Sequence, residues 1–171
     1  MEVSVAQAQR RVGEAIPFEW NGAIPDQEYA GRRIEFVDHA ACKGTVTCDG
    51  KAFTVHADCS LAYLANCARC GSGFTETLTF SLTERFVREA VIEESDEETY
   101  PYSGDRIDLK KAFFDNLFLH LPLISVCSED CQGLCPVCGC NLNQGKCDCQ
   151  EEPADSRLAS LMQLLNDNKE V

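Results

Sequence analysis

Three shortages narrow this sequence before any motif is read. No stretch approaches the ~20 consecutive apolar residues of a membrane-spanning helix, so none is expected. The amino terminus, Met1-Glu2-Val3-Ser4-Val5, has neither a basic segment nor a long apolar run and does not read as a secretory signal. The expected location is therefore the reducing cytoplasm, where clustered cysteines favour metal over disulfides. Positive charge is scarce: 15 Lys and Arg face 28 Asp and Glu, a formal net charge of −13. Such a field opposes a polyanion and attracts basic proteins. Histidine is scarcer still. His39, His56 and His120 are scattered, with no H-E-x-x-H pair and no nucleophile or carboxylate set near them, so each reads as structural or exposed, and no small-molecule substrate is expected. At 171 residues the chain can nonetheless bury a substantial core without needing a metal to compensate for small size.

Cysteine is what the chain has in excess. Of twelve, seven fall in C-S-E-D-C-Q-G-L-C-P-V-C-G-C-N-L-N-Q-G-K-C-D-C, from Cys127 to Cys149. Cys135-Pro136-Val137-Cys138-Gly139 has the form of a zinc knuckle: proline pre-sets φ in the turn, and glycine can adopt the φ > 0 that turns backbone N–H groups toward sulfur. Cys147-Asp148-Cys149 offers the second pair that a tetrahedral site needs. A second knuckle, Cys67-Ala68-Arg69-Cys70-Gly71, falls between two strand-like runs and pairs with Cys127 and Cys131. Two structural zinc ions are thus expected, on Cys67, Cys70, Cys127 and Cys131, and on Cys135, Cys138, Cys147 and Cys149, with a single ion as the fallback. The first would tie a hairpin tip to the end of a helix. A disulfide cluster is the alternative for the cysteine-rich stretch, and a thiol redox pair is the alternative for C-x-x-C. Cys42, Cys48 and Cys59 share strand parity with apolar neighbours and read as core thiols. Cys140 lacks a partner at knuckle spacing and is left out of the ligand set.

Periodicity supplies the frame. Met1, Val3 and Val5 alternate as a strand, although Val5, Ala8, Val12 and Ala15 also fit a helical stripe. Ile16 to Trp20 reads as an edge segment, with Trp20 in the core or covering it. From Ile34 to Arg88 the period is two. Cys42, Val46 and Cys48 lead through Asp49-Gly50 to Phe53, Val55, Ala57, Cys59, Leu61 and Tyr63, a hairpin. Phe74, Leu78, Phe80, Leu82 and Phe86 alternate with hydroxyl residues, as in a sheet with one wet face. Glu89 to Asp105, including Glu93-Glu94-Ser95-Asp96-Glu97-Glu98, reads as a mobile acidic loop, a candidate arm for a basic partner. Asp108 is placed to cap a helix that runs to about Leu121 and stops at Pro122. Its apolar residues cover more than one face, so the helix is expected to be buried on several sides within the domain, with Phe114, Phe118 and Leu121 as anchors for a partner only if one face is exposed. Arg32, Arg33, Arg85, Arg88, Lys110 and Lys111 are the residues from which a local RNA-binding patch would have to be built. Residues 150–154 read as a linker, Leu158, Leu161, Met162 and Leu165 as one face of a last helix, and the tail from Asn166 as frayed.

The order of C-x-x-C on a hairpin, an acidic loop, Ile107-Asp108-Leu109 opening an apolar helix that ends Leu121-Pro122, the cysteine-rich stretch, and Asp155-Ser156-Arg157-Leu158 resembles the YceD family of bacteria and plastids. The resemblance spans roughly Ile34 to Leu165. It implies a non-enzymatic cytoplasmic factor needed for accumulation or processing of large-subunit ribosomal RNA. It also implies that zinc is not the family's shared active principle, since some members lack most of these cysteines. Cys140 departs from the hydroxyl or small residue that many relatives carry. The expected architecture is α+β: an antiparallel sheet, curled toward a barrel, with acidic loop and one long helix over residues 1–126, and a zinc-binding lobe with a short helix over residues 127–171. The expected partner is a ribosomal protein or assembly factor with a basic surface, any contact with pre-ribosomal RNA being indirect.

Overall fold

A computed structural model describes residues 1–91 and 99–149. The acidic run 93–98, the linker, the last helix and the tail lie outside the described residues. The chain divides into two compact units, Met1–Cys67 with Ser72–Cys127, and Ala68–Gly71 with Ser128–Val171.

The first unit contains β1 (Glu2–Ser4), α1 (Ala6–Arg10), β2 (Ile16–Gly22), β3 (Gln27–Tyr29), β4 (Arg32–Ile34), β5 (Ala40–Cys48), β6 (Ala52–Asn66), β7 (Gly73–Arg88), β8 (Thr99–Tyr102), β9 (Arg106–Asp108) and α2 (Lys110–His120). The main sheet has the order β2-β5-β6-β7-β8. It is open, with β2 and β8 at its edges, so the expected barrel is not formed among the described residues. Nor is it wholly antiparallel, because β8 runs parallel to β7. Tyr100-Pro101-Tyr102, read from sequence as loop, is therefore strand. Pro101 is tolerated because β8 lies at the edge, where one side needs no ladder donor.

The alternation in β6 has a direct physical outcome. Phe53, Val55, Ala57, Cys59, Leu61 and Tyr63 are buried on one face, while β7 aligns antiparallel beside β6 from Ala52↔Val87 to Asn66↔Gly73. Slipping that register by one residue would carry the whole apolar set to the wet face. Cys42 and Cys59 face each other across β5 and β6 with Cα atoms 4.2 Å apart, joined as a disulfide. They lie in the core as expected, but the expectation of unpaired thiols is corrected. Parity shows which residues are buried, not which two the strand register will bring into contact.

At the amino terminus strand and helix follow each other. β1 pairs with β9, α1 begins at Ala6, and Val12 is exposed, which ends the helical stripe. Ile16, Phe18 and Trp20 of β2 are half-buried against the core.

Helix α2 lays Ala112, Phe113, Phe114 and Leu117 into the core. Phe113 is completely buried and packs 5.5 Å from the Phe80 ring, burial that contributes about 2–3 kcal/mol. Asp108 acts one residue from its expected place. It belongs to β9, Leu109 occupies the cap position, and the Asp108 carboxylate accepts the Lys110 N–H at 2.9 Å. The helix is buried in the domain, so the condition for partner anchors is not met at two of the three residues. Phe114 is buried in the core, and Phe118 stacks on Tyr29 at 4.4 Å, because the β3–β4 hairpin supplies a ring that periodicity cannot reveal. Among the described residues no helix is long and apolar enough to cross a membrane.

Candidate metal centre

Two groups of four cysteines stand out. Cys67, Cys70, Cys127 and Cys131 form one, and Cys135, Cys138, Cys147 and Cys149 the other; within each group the four sulfurs lie within 4.8 Å of one another. A tetrahedral zinc with sulfurs at about 2.3 Å brings those sulfurs to about 3.8 Å apart. Each group therefore needs to contract by no more than about 1 Å, a side-chain adjustment. The all-thiol donor set fits a zinc ion in a closed structural site, where the metal supplies cross-linking and no open coordination position.

Local backbone geometry explains the convergence. In the 135–140 turn, Gly139 N donates to Cys135 O at 2.9 Å and Cys135 N to Cys140 O at 2.8 Å, while Gly139 sits at φ 72°, a conformation that glycine adopts without penalty. The turn aims N–H groups at sulfur: Val137 N donates to Cys135 Sγ at 3.4 Å. Donation from Cys138 and Val137 N–H groups lowers the Cys135 thiol pKa to about 6. The Cys138 thiol is also lowered, first by the Cys140 N–H. The Cys149 thiol is pushed up to about 12, chiefly by its hydrogen bond with Cys138. The backbone N–H groups thus favour the thiolate form at both knuckle sulfurs, which suits a cation.

Around Cys131 two supporting residues appear that the sequence analysis passed over. Arg69, between the cysteines of the first knuckle, donates from Nη1 to the carbonyls of Glu129 at 2.8 Å and Cys131 at 3.2 Å. Asn143 donates its amide to Cys131 Sγ at 3.3 Å and accepts the Gln132 N–H at 2.8 Å. Gly133, at φ 74°, passes so close to Arg69 that an added Cβ would stand 3.2 Å from the Arg69 carbonyl oxygen. The available signal was the middle of C-x-x-C itself, since a side chain there is carried next to whatever the two sulfurs meet. Cys67, Cys70, Cys131 and Cys135 are buried, whereas Cys127, Cys138 and Cys149 are exposed.

The chain is mostly sheet with few helices and carries two four-cysteine groups that could hold metal, and comparison with known proteins gives its family. Residues 55–165 match the family described as large ribosomal RNA subunit accumulation protein YceD. The chain belongs to the YceD family. An uncharacterized protein of Mycobacterium tuberculosis is 29% identical over 171 residues, covering 96% of this chain and 81% of the relative. The chloroplastic large ribosomal RNA subunit accumulation protein YCED homolog 1 of Arabidopsis thaliana is 36% identical over 64 residues, 37% of this chain and 20% of the plant protein. Its Zea mays counterpart is 38% identical over 52 residues, 30% of this chain and 18% of the relative. No solved structure matches the chain. The family is named for accumulation of ribosomal RNA and not for a catalysed reaction.

Proposed function

We propose that this chain is a non-enzymatic, zinc-binding factor that supports accumulation of large-subunit ribosomal RNA by docking on a basic ribosomal protein or assembly factor in the cytoplasm. The observation that carries the reading is the family match over residues 55–165. The eight cysteines of the two groups are the proposed zinc ligands, two ions per chain, with a structural and not a catalytic role. Contact with pre-ribosomal RNA is indirect.

The net charge of −13 supports a protein partner over naked RNA. So does the fate of the basic residues: Arg33 pairs with Asp26, Arg85 with Asp49 and Lys111 with Asp115, at 2.9, 3.0 and 2.8 Å. Those cations are already partly neutralised. Apolar contact falls to Leu119, Leu123 and Ile124, which are 80, 95 and 70% exposed, in place of Phe114 and Phe118. Among the described residues, a thiol-redox reading finds one disulfide, at Cys42–Cys59. Those residues are 1 and 2% exposed, out of reach of a substrate thiol.

Affinity capture from cells at native expression, with and without nuclease, tests the proposal. A basic ribosomal protein or assembly factor should stay bound after nuclease. Tight, salt-sensitive binding to protein-free ribosomal RNA would overturn it.

A further inference from the structure

One cavity in the first unit differs in sign from the acidic chain around it. It measures about 600 Å³ and lies where the β5–β6 turn meets the end of β7 and its neighbour β8. Lys51, Arg85 and Arg88 line it, and among the described residues no Asp or Glu does. Arg85 donates from Nη2 to Asp49 Oδ2 at 3.0 Å. Asp49 in turn accepts the Lys51 and Ala52 N–H groups at 2.8 and 2.7 Å, which fixes the turn that carries Lys51. The Lys51 ammonium and the Arg88 guanidinium have no ion pair or hydrogen bond among the described residues. Three cations against one carboxylate leave a formal excess of two, on a chain whose net charge is −13. Like charges so placed repel one another until an anion enters.

We propose that this cavity binds a small organic phosphomonoester. A phosphomonoester carries about −1.5 to −2 at neutral pH and so answers the excess of two, whereas a carboxylate answers only half of it. Arginine forks also match phosphate oxygens in a two-bond geometry. Size argues for an organic group beside the phosphate: pockets of about 300–1,000 Å³ take small molecules, and this one is also lined by Ala52, Phe53 and Tyr102, all buried. The Phe53 and Tyr102 rings meet edge to face at 5.1 Å, which makes that part of the lining rigid. An RNA strand fits less well, because it needs cations along a track, and Arg33 and Lys111 are engaged elsewhere by Asp26 and Asp115. The ligand is bound and not turned over, since among the described residues the lining offers no histidine or carboxylate as a general base. Zinc in the cysteine groups is not required.

Isothermal titration calorimetry of the full chain with adenosine 5′-monophosphate, ribose 5-phosphate and phenyl phosphate, with adenosine and inorganic phosphate as controls, tests the site. At least one of the three monoesters should bind at a single site, more tightly than inorganic phosphate, and adenosine should not bind. Arg88→Gln and Lys51→Gln should each weaken binding about tenfold, and together about a hundredfold. Lys110→Gln, outside the cavity, should leave it unchanged. In wild type the amide signals of Gly50, Lys51 and Arg88 should shift on titration, a readout that needs no variant to fold. Failure of all three monoesters to bind at millimolar concentration would overturn the proposal. So would binding that survives loss of both Lys51 and Arg88, or an RNA oligomer with a 5′-hydroxyl end that binds through those residues more tightly than any monoester.

Discussion

Arg69→Ala is the substitution with the most to say about how the proposed first zinc ion is held. The guanidinium makes two hydrogen bonds, to the Glu129 carbonyl at 2.8 Å and the Cys131 carbonyl at 3.2 Å. A hydrogen bond to a charged group contributes about 1.5–3 kcal/mol, and solvent access to one of the two puts the pair near 2 kcal/mol. Both bonds fix the backbone that presents Cys131. Their loss should appear chiefly as weaker metal binding, because an unpositioned ligand must be ordered when zinc arrives. About 2 kcal/mol corresponds to roughly 30-fold in affinity, within the 10- to 100-fold usual for groups that support metal ligands. Arg69→Lys, which keeps the charge but places its ammonium on a shorter side chain than the Nη1 that makes both bonds, should lose about half of that free energy. Titration against a chromophoric zinc chelator should show one ion released at about 30-fold lower chelator affinity, the other unchanged. Unchanged affinity of both ions in Arg69→Ala would refute the positioning role. So would equal weakening of both.

Three further outcomes are expected. Cys70→Ser should reduce zinc from two ions to one and clearly lower the melting temperature, since structural zinc contributes on the order of 10 kcal/mol of apparent binding energy in small domains; an unchanged melting temperature with unchanged zinc content would exclude this ligand. Phe118→Ala, which removes the ring stacked on Tyr29, should destabilise the first unit by about 2–3 kcal/mol in denaturant titration. Asp49→Ala should cost about 1 kcal/mol at neutral pH, because the carboxylate accepts the Ala52 and Lys51 N–H groups and pairs with Arg85. The Ala52 and Lys51 N–H groups, in that order, hold Asp49 below its ordinary value of 3.8. Its contribution is therefore complete above that value and lost as pH falls through the lower folded one, so wild-type and variant stabilities should converge in acid.

The sheet was legible because a period of two over β6 and β7 has one physical solution when a single face is wet, and Asp49-Gly50 marked where β5 turns into β6. The knuckles were legible for a similar reason: C-P-V-C-G and C-A-R-C-G encode their own turns. Pairing across the sheet was not. Cys42 meets Cys59 only once the β5–β6 register is fixed, and residue parity leaves that register open. The parallel docking of β8 depends on a connection whose path local preference does not set. Helical periodicity counts faces and so left open whether Phe118 was covered, while Tyr29, which covers it, comes from a hairpin about ninety residues away in sequence. Arg69 was passed over because it was judged by its own spacing rather than by what the neighbouring sulfurs bring near it.

Native mass spectrometry of protein purified without chelators, paired with thiol alkylation before and after chelation, tests the zinc-factor account most directly. The account predicts two zinc ions per chain, with the eight cysteines of the two groups protected until the metal is stripped and reactive afterwards. A chain that carries no metal, with those eight cysteines alkylated at once or joined in disulfides, would contradict it.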